Sequence, residues 1–449
     1  MAPNITTTRK PLSYGTLKCI LKHMDANQRI QLSRRSWEIH NIDKQVALKI
    51  KKLTFDEMRI DINETSYQLG IVREFLDPSR RKKGNETYYE KYGHTYDVDP
   101  WGFEICDREG NLEDADVENQ QLKEIINSLD QQLSDLKFEA EICRSENVKL
   151  EIRDKIEAVE MELLPYRLKI ERNLEIPYNH FIQLMISQPR GMNILEKTDY
   201  GSGKTLFDSF DYLTHTIFGG RNHRELCHVK TMKAVNLRCL DPKIWSSNNL
   251  RSCKFRVENL EIPDVNPEKY LRLIEPLLDA TSFPLGSLEI SEPFSDYSNP
   301  ILCTARLLIF NGSECGSELL DFLYRRLKNR RVHVASTMAN EELIQEVIEY
   351  WMEYGKEQGT HYSFDGWREQ IAIDNFLNKI AQMTGATVEN VVESAKSNHS
   401  ISVLLPVNNS LCQLKVYYKT DETKSDLFKR VFHLKVQMNK EPPNFSGKN

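Results

Sequence analysis

The sequence predicts a mixed chain, α+β and α/β in class, in four parts. These are an N-terminal helical unit, a central antiparallel helical hairpin, an irregular strand–helix array and a small C-terminal antiparallel β unit. Three observations predict it. Apolar residues recur at helical spacing near the start and at heptad spacing in the centre. Strand-like runs then return in steps of about 20 to 30 residues. Near the C-terminus, alternating runs are separated by short turns.

In order, residues 11–45 are helical: Leu17, Ile20, Leu21 and Met24 fall on one stripe, and Ser13 is a candidate N-cap. The stretch "DAN" at 25–27 breaks the stripe, and Ile30, Leu32 and Trp37 form a second apolar set. Residues 46–116 begin strand-like, with Val46, Leu48 and Ile50 alternating and then Tyr67, Leu69 and Ile71, and continue as loop. Residues 117–175 carry a heptad seam through Leu122, Ile126, Leu129, Leu133 and Leu136, broken near 145–147 and interrupted at Pro165. Two arms of about 25 and 17 residues read as an antiparallel coiled-coil hairpin, the alternative being one long helix in an intermolecular coil.

Residues 176–395 form the array, with strand-like runs at 227–237, 253–262, 285–291, 305–312 and 330–336. Helices between them include the one opened by Asn266 and Pro267, and "SELLDFLYRRL" with Leu319, Leu320, Leu323 and Leu327 on one face. The pattern is leucine-rich-repeat-like, with only part of the strict L-x-x-L-x-L signature. A helix at about 341–355 stops at Gly355, and another covers "REQIAIDNFLNKI". Residues 396–440 form the C-terminal β unit, and 441–449 read as a disordered tail.

The 449 residues suit two to four structural units, and 40% hydrophobic with 28% charged residues is ordinary for a globular protein. The net charge of −6 supplies no global basic field, so nucleic acid is not an expected partner. The basic N-terminal set (Arg9, Lys10, Lys18, Lys22, Arg29, Arg34, Arg35) reads as a solvated or partner-binding face. No apolar run approaches the roughly 18–20 residues of a membrane span, and no signal-peptide core opens the chain. The expected location is intracellular, cytoplasmic or nuclear, without a membrane partner. Nine scattered cysteines with no C-x-x-C pair read as reduced thiols.

Little in the sequence reads as catalysis. "TDYGSGKT" (198–205) ends like a phosphate-binding loop, but Thr198 stands where G-x-x-x-x-G-K-[ST] needs its first glycine. The strand ahead of it, "MNIL", is short, and no downstream strand ends in a metal-binding Asp. The competing reading is a helix start, Thr205 and Asp208 forming a capping box. "HRELCH" (His223, Cys227, His228) clusters possible metal ligands without the second cluster a zinc site needs. No G-x-S-x-G elbow or H-E-x-x-H motif occurs. The expectation is therefore a non-enzyme with no catalytic residues, no metal or nucleotide site and no cofactor.

Residues 11–37 resemble an F-box, on Pro11, Leu12, Leu17, Ile20, Leu21, Met24, Asp25, Ile30, Leu32, Ser33, Arg34 and Trp37. The order Pro-Leu replaces Leu-Pro, and Asn27 to Arg29 stand where Asp-Leu is more usual. The alternative is a generic three-helix unit. Nearly the whole chain is similar to a nematode-expanded F-box-C-like family whose long C-terminal region has no assigned function. That similarity rests on "KPLSYGTLKCIL", "ELLPYRLKIERN", "IPYNHFIQLMIS", "IFGGRN", "LLDATSFPLGSLEI" and "WMEYGKEQGTHYSF". The resemblance implies docking on a Skp-type adaptor through Pro11, Leu12, Leu17, Ile20, Leu21, Met24, Ile30, Leu32 and Trp37. It implies a substrate-recruiting subunit of a Skp–cullin–F-box ubiquitin ligase, with an unidentified protein as substrate. A scaffold without ligase work is the alternative, and a nucleotide-binding protein through Gly203-Lys204-Thr205 a more distant one.

Overall fold

A computed structural model describes residues 13–77, 93–105, 112–173, 175–189, 191–200, 204–222, 224–236, 253–263, 266–292, 299–312, 323, 327–335, 341–367, 370–392, 399–408, 411–420 and 430–438. Pro11, Leu12, His223, Gly203, Leu319, Leu320 and the tail at 441–449 lie outside these residues. The fold is mixed α+β, with ten α-helices among the described residues and a large mixed sheet. The chain divides into two compact units, one holding Met1–Glu57, Asp61–Asn63 and His215–Asn449, the other Met58–Ile60 and Glu64–Thr214.

The first unit opens with three short helices, α1 (Tyr14–His23), α2 (Ala26–Arg35) and α3 (Trp37–Asp43). Each starts at a side-chain cap. Ser13 accepts from the Thr16 amide, Asp25 from those of Asn27 and Gln28, and Ser36 from that of Ile39. The strands of this unit are β1 (Leu48–Asp56), β6 (Cys227–Asn236), β7 (Phe255–Glu261), β8 (Ser287–Ile290), β9 (Leu308–Phe310), β10 (Arg331–Val334) and β11 (His361–Trp367). They lie side by side in that order, every neighbour parallel. β11 then pairs antiparallel with β15 (Arg430–Met438), followed by β14 (Cys412–Thr420), β13 (His399–Pro406) and β12 (Thr387–Val392). The sequence marked the runs at 227–334 as strands. It did not mark β11, nor the pairing of β1, from far upstream, onto β6.

Helices cover the apolar side. In α9 (Glu341–Tyr354), Trp351 is fully buried and meets Tyr362 edge-on at 4.8 Å. In α10 (Gln370–Ala381), Phe376 packs on Phe432 of β15. The helix end predicted at Gly355 forms: this residue has φ +77, and its N–H donates to Trp351 O at 3.0 Å.

In the second unit, β3 (Thr65–Phe75), β4 (Tyr178–Gln188) and β5 (Gly191–Asp199) form an antiparallel meander. α4 (Leu112–Ile142) and α5 (Glu146–Ile170) run antiparallel, because Asp130 pairs with Arg167 and Lys137 with Glu160. Leu129, Leu133, Val159 and Leu163 are buried between them, Ile126 and Leu136 pack against this cluster, and Leu122 is also buried. The expected interruption at Pro165 does not occur, since α5 runs on to Ile170. A proline inside a helix costs about 3 kcal/mol. Burial of Leu163, Pro165 and Leu168 opposes that cost, and Arg167 bonds back to α4.

Candidate functional site

The three N-terminal helices carry the residues singled out for docking. Leu21 is fully buried and Ile30 nearly so, so these two hold the helices together. Leu17, Met24 and Leu32 are half-buried. Ile20 is 39% exposed, Trp37 73% and Tyr14 52%. Leu17, Ile20 and Met24 follow at i, i+3 and i+7, which gives α1 an apolar edge open to solvent. Trp37 stacks on His40 with centroids 5.7 Å apart, and Ser33 Oγ lies 3.0 Å from His40 Nδ1.

The unit is held at its base by a buried ionic network that the sequence did not disclose. Arg29, expected on a solvated basic face, is 2% exposed. Its Nε donates to Asp43 Oδ1 at 2.8 Å, Nη1 to Ala47 O at 2.7 Å and Nη2 to Val46 O at 2.9 Å. Arg221 donates to the other Asp43 oxygen and, through Nη1, to Asp43 O and Val46 O, each at 2.7 Å. One carboxylate therefore sits between two guanidiniums, each donor fork filling backbone carbonyls that would otherwise be orphaned.

Lys44 is adjacent. Its ammonium donates to Thr216 O (2.6 Å) and Ile217 O (3.0 Å), in the last turn of α6 (Leu206–Phe218), where the helix dipole favours a cation. Burial, with Arg221 nearby, pushes this ammonium down to about 8. Glu225 accepts from the Ala47 amide at 2.9 Å. The glycines before Arg221 aim it. Gly220 takes φ +71, and a Cβ on Gly219 would come within 2.4 Å of the His215 ring. "IFGGRN" was the available signal, but nothing in it identified Asp43 as the partner.

Of the "TDYGSGKT" stretch, residues 201–203 lie outside the described residues, and the backbone on either side is engaged by the chain's own groups. β5 ahead of it is an antiparallel hairpin strand, as its pairing with β4 shows. At the start of α6, Asp208 N–H donates to Thr205 Oγ1 at 3.0 Å and Thr205 N–H returns to Asp208 Oδ2 at 3.2 Å, a complete capping box. The next amide, Leu206 N–H, donates to Asp97 Oδ1 at 2.7 Å. Two of the chain's own carboxylates thus occupy amides a phosphate would need. Thr205→Ala should destabilise by about 1 kcal/mol, read as a shifted urea midpoint with an unchanged slope.

Of the "HRELCH" set, Cys227 is buried in β6, where burial raises its thiol pKa, and His228 is half-buried. Among the described residues no group of three His, Cys, Asp or Glu could hold a metal ion, and no helix is long and apolar enough to cross a membrane.

Residues 205–368 match a domain of unknown function, DUF3557. DUF3557 opens at the Thr205 cap and closes just past β11, so it takes in α6, Arg221 and the strands β6 to β11. The N-terminal helices and the α4–α5 hairpin lie outside it. No curated protein and no solved structure matches the chain.

Proposed function

We propose that the chain is a non-catalytic, substrate-recruiting subunit of a Skp–cullin–F-box-type ubiquitin ligase. Helices α1 to α3 dock on a Skp-type adaptor, and the strand array, leucine-rich-repeat-like in its consecutive parallel strands, holds a protein substrate. The observation that carries the reading is the exposed apolar set Tyr14, Ile20 and Trp37 on a base made rigid by Arg29, Asp43 and Arg221. Interfaces draw their energy from a few aromatic and aliphatic anchors held in place before binding. Ubiquitin transfer occurs on other subunits in such a ligase, so this chain needs no cofactor, and its place is the cytoplasm or nucleus.

The test is capture of a purified Skp-type adaptor by the purified full chain. Wild type should bind. Leu17→Asp with Ile20→Asp should weaken capture by at least about 100-fold, since losing two buried anchors costs at least about 3 kcal/mol. Trp37→Ala should weaken it without altering the melting temperature, because Trp37 is 73% exposed. Failure of wild type to bind, or capture unchanged in both variants, sinks the reading.

A scaffold without ligase work is favoured by a different observation. Near the turn between α4 and α5, Phe138 (65%), Ile142 (63%) and Leu150 (56%) are exposed. In that reading the coiled-coil-like hairpin is the binding element, and the adaptor is not captured.

A further inference from the structure

The C-terminal strands present one face away from α9 and α10. Those helices pack against Trp351's neighbour Tyr362 and against Phe432, while Arg331, His361, Lys435 and Lys415 alternate onto the opposite side. The register sets these four in a row across four adjacent strands. Arg331 is opposite His361, His361 opposite Lys435, and Lys435 opposite Lys415. Like charges directly opposite one another destabilise a sheet. Arg331 and Lys435 are exposed, and among the described residues no carboxylate pairs with either.

The next row is rich in hydrogen-bonding groups: His333, Ser363, His433 and Tyr417 in register. Of the acids described on this face, Asp365 is engaged with His333 at 3.3 Å and Glu389 with Lys415 at 3.4 Å, while Glu289 lies two strands beyond His333, where Asn311 donates to it at 3.1 Å. Burial, followed by the charge of Lys435 and Arg331, pushes His361 down. Burial and His361 push His433 down to about 3. Near neutral pH these histidines are uncharged, and the positive field comes from the arginine and lysines.

We infer that this face binds an acidic peptide segment, its carboxylates set against Arg331 and Lys435; that the segment belongs to a recruited protein rests on the function proposed above. Two strand spacings separate Arg331 from Lys435, about 10 Å, a gap that the long Arg and Lys side chains can close onto alternate acidic residues of an extended peptide. Serine, histidine and tyrosine in the second row can bond the peptide backbone. A long nucleic acid is disfavoured by the chain's net charge of −6.

The probe is a short fluorescein-labelled peptide of alternating Glu and Ser, titrated at low salt into the full chain. Arg331→Glu with Lys435→Glu should weaken binding about tenfold or more, since each close charge pair contributes on the order of 1 kcal/mol or more. Arg153→Glu with Lys155→Glu, exposed residues of α5, makes the same change in net charge and should leave affinity within about twofold. Wild type that does not bind, equal loss in both variants, or tighter binding of a single-stranded oligonucleotide of equal charge would overturn the inference. Adaptor capture reads the recruiting role separately. Loss of capture with peptide binding intact removes that role and leaves the face standing.

Discussion

Asp43→Asn should destabilise the first unit by about 3–5 kcal/mol, because removing one partner of a buried ion pair strands the others. Asn keeps the shape but removes the charge and turns one of the two acceptor oxygens into an NH2 donor facing a guanidinium. Arg29 and Arg221 would then face each other in a region where both are about 2% exposed. Neither guanidinium can shed its proton to escape. The loss is a difference between native and stranded states, so it does not make the intact network a net stabiliser. Urea or thermal unfolding checks it. The double variant Asp43→Asn, Arg221→Met should lose less than the sum of the single changes, since the three groups are coupled. An Asp43→Asn variant within about 0.5 kcal/mol of wild type would show that the network does not hold the helices. Adaptor capture should fall in step with stability, because the docking residues ride on this base.

The second large effect is expected at Phe255. This residue is fully buried in β7, with Phe55 of β1 edge-on at 6.1 Å and Phe218, at the end of α6, at 5.1 Å. Phe55 and Phe218 close the set at 6.2 Å. Phe255→Ala should cost about 3–5 kcal/mol, the transfer term plus the cavity left in a close-packed core. Three aromatic pairs share this cavity, and two of them are lost at once. Phe255→Leu should restore most of the loss. A melting temperature unchanged in Phe255→Ala would contradict the packing described.

Local pattern was enough for much of the fold. Ser13, Asp25 and Gly355 mark helix ends through hydrogen bonds made within a few residues, so their signals lie in adjacent sequence. The seam from Leu122 to Leu136 faces its partner because a 3.5-residue spacing keeps one stripe aligned, whichever helix supplies the other side. Pro165 misled because propensity weighs one residue, whereas packing acts along the whole of α5. β11 escaped notice although His361, Ser363 and Asp365 alternate with Tyr362 and Phe364, because the alternation holds only two apolar residues before Gly366 breaks it.

The sequence by itself determined the helix ends at Ser13 and Gly355, the apolar seam of α4, the recurring strand runs from β6 to β10 and the apolar stripe of α1. Each is a periodicity or a cap readable within one or two helical turns or a strand length. Only the tertiary structure decided that Arg29 is buried against Asp43 and Arg221, and that Arg331, His361, Lys435 and Lys415 share one row. Arg29 and Arg221 meet across nearly the whole span of α1 to α6, and β10 meets β15 only through β11. Contacts between residues so far apart in the chain depend on strand order and register, and no local pattern carries them.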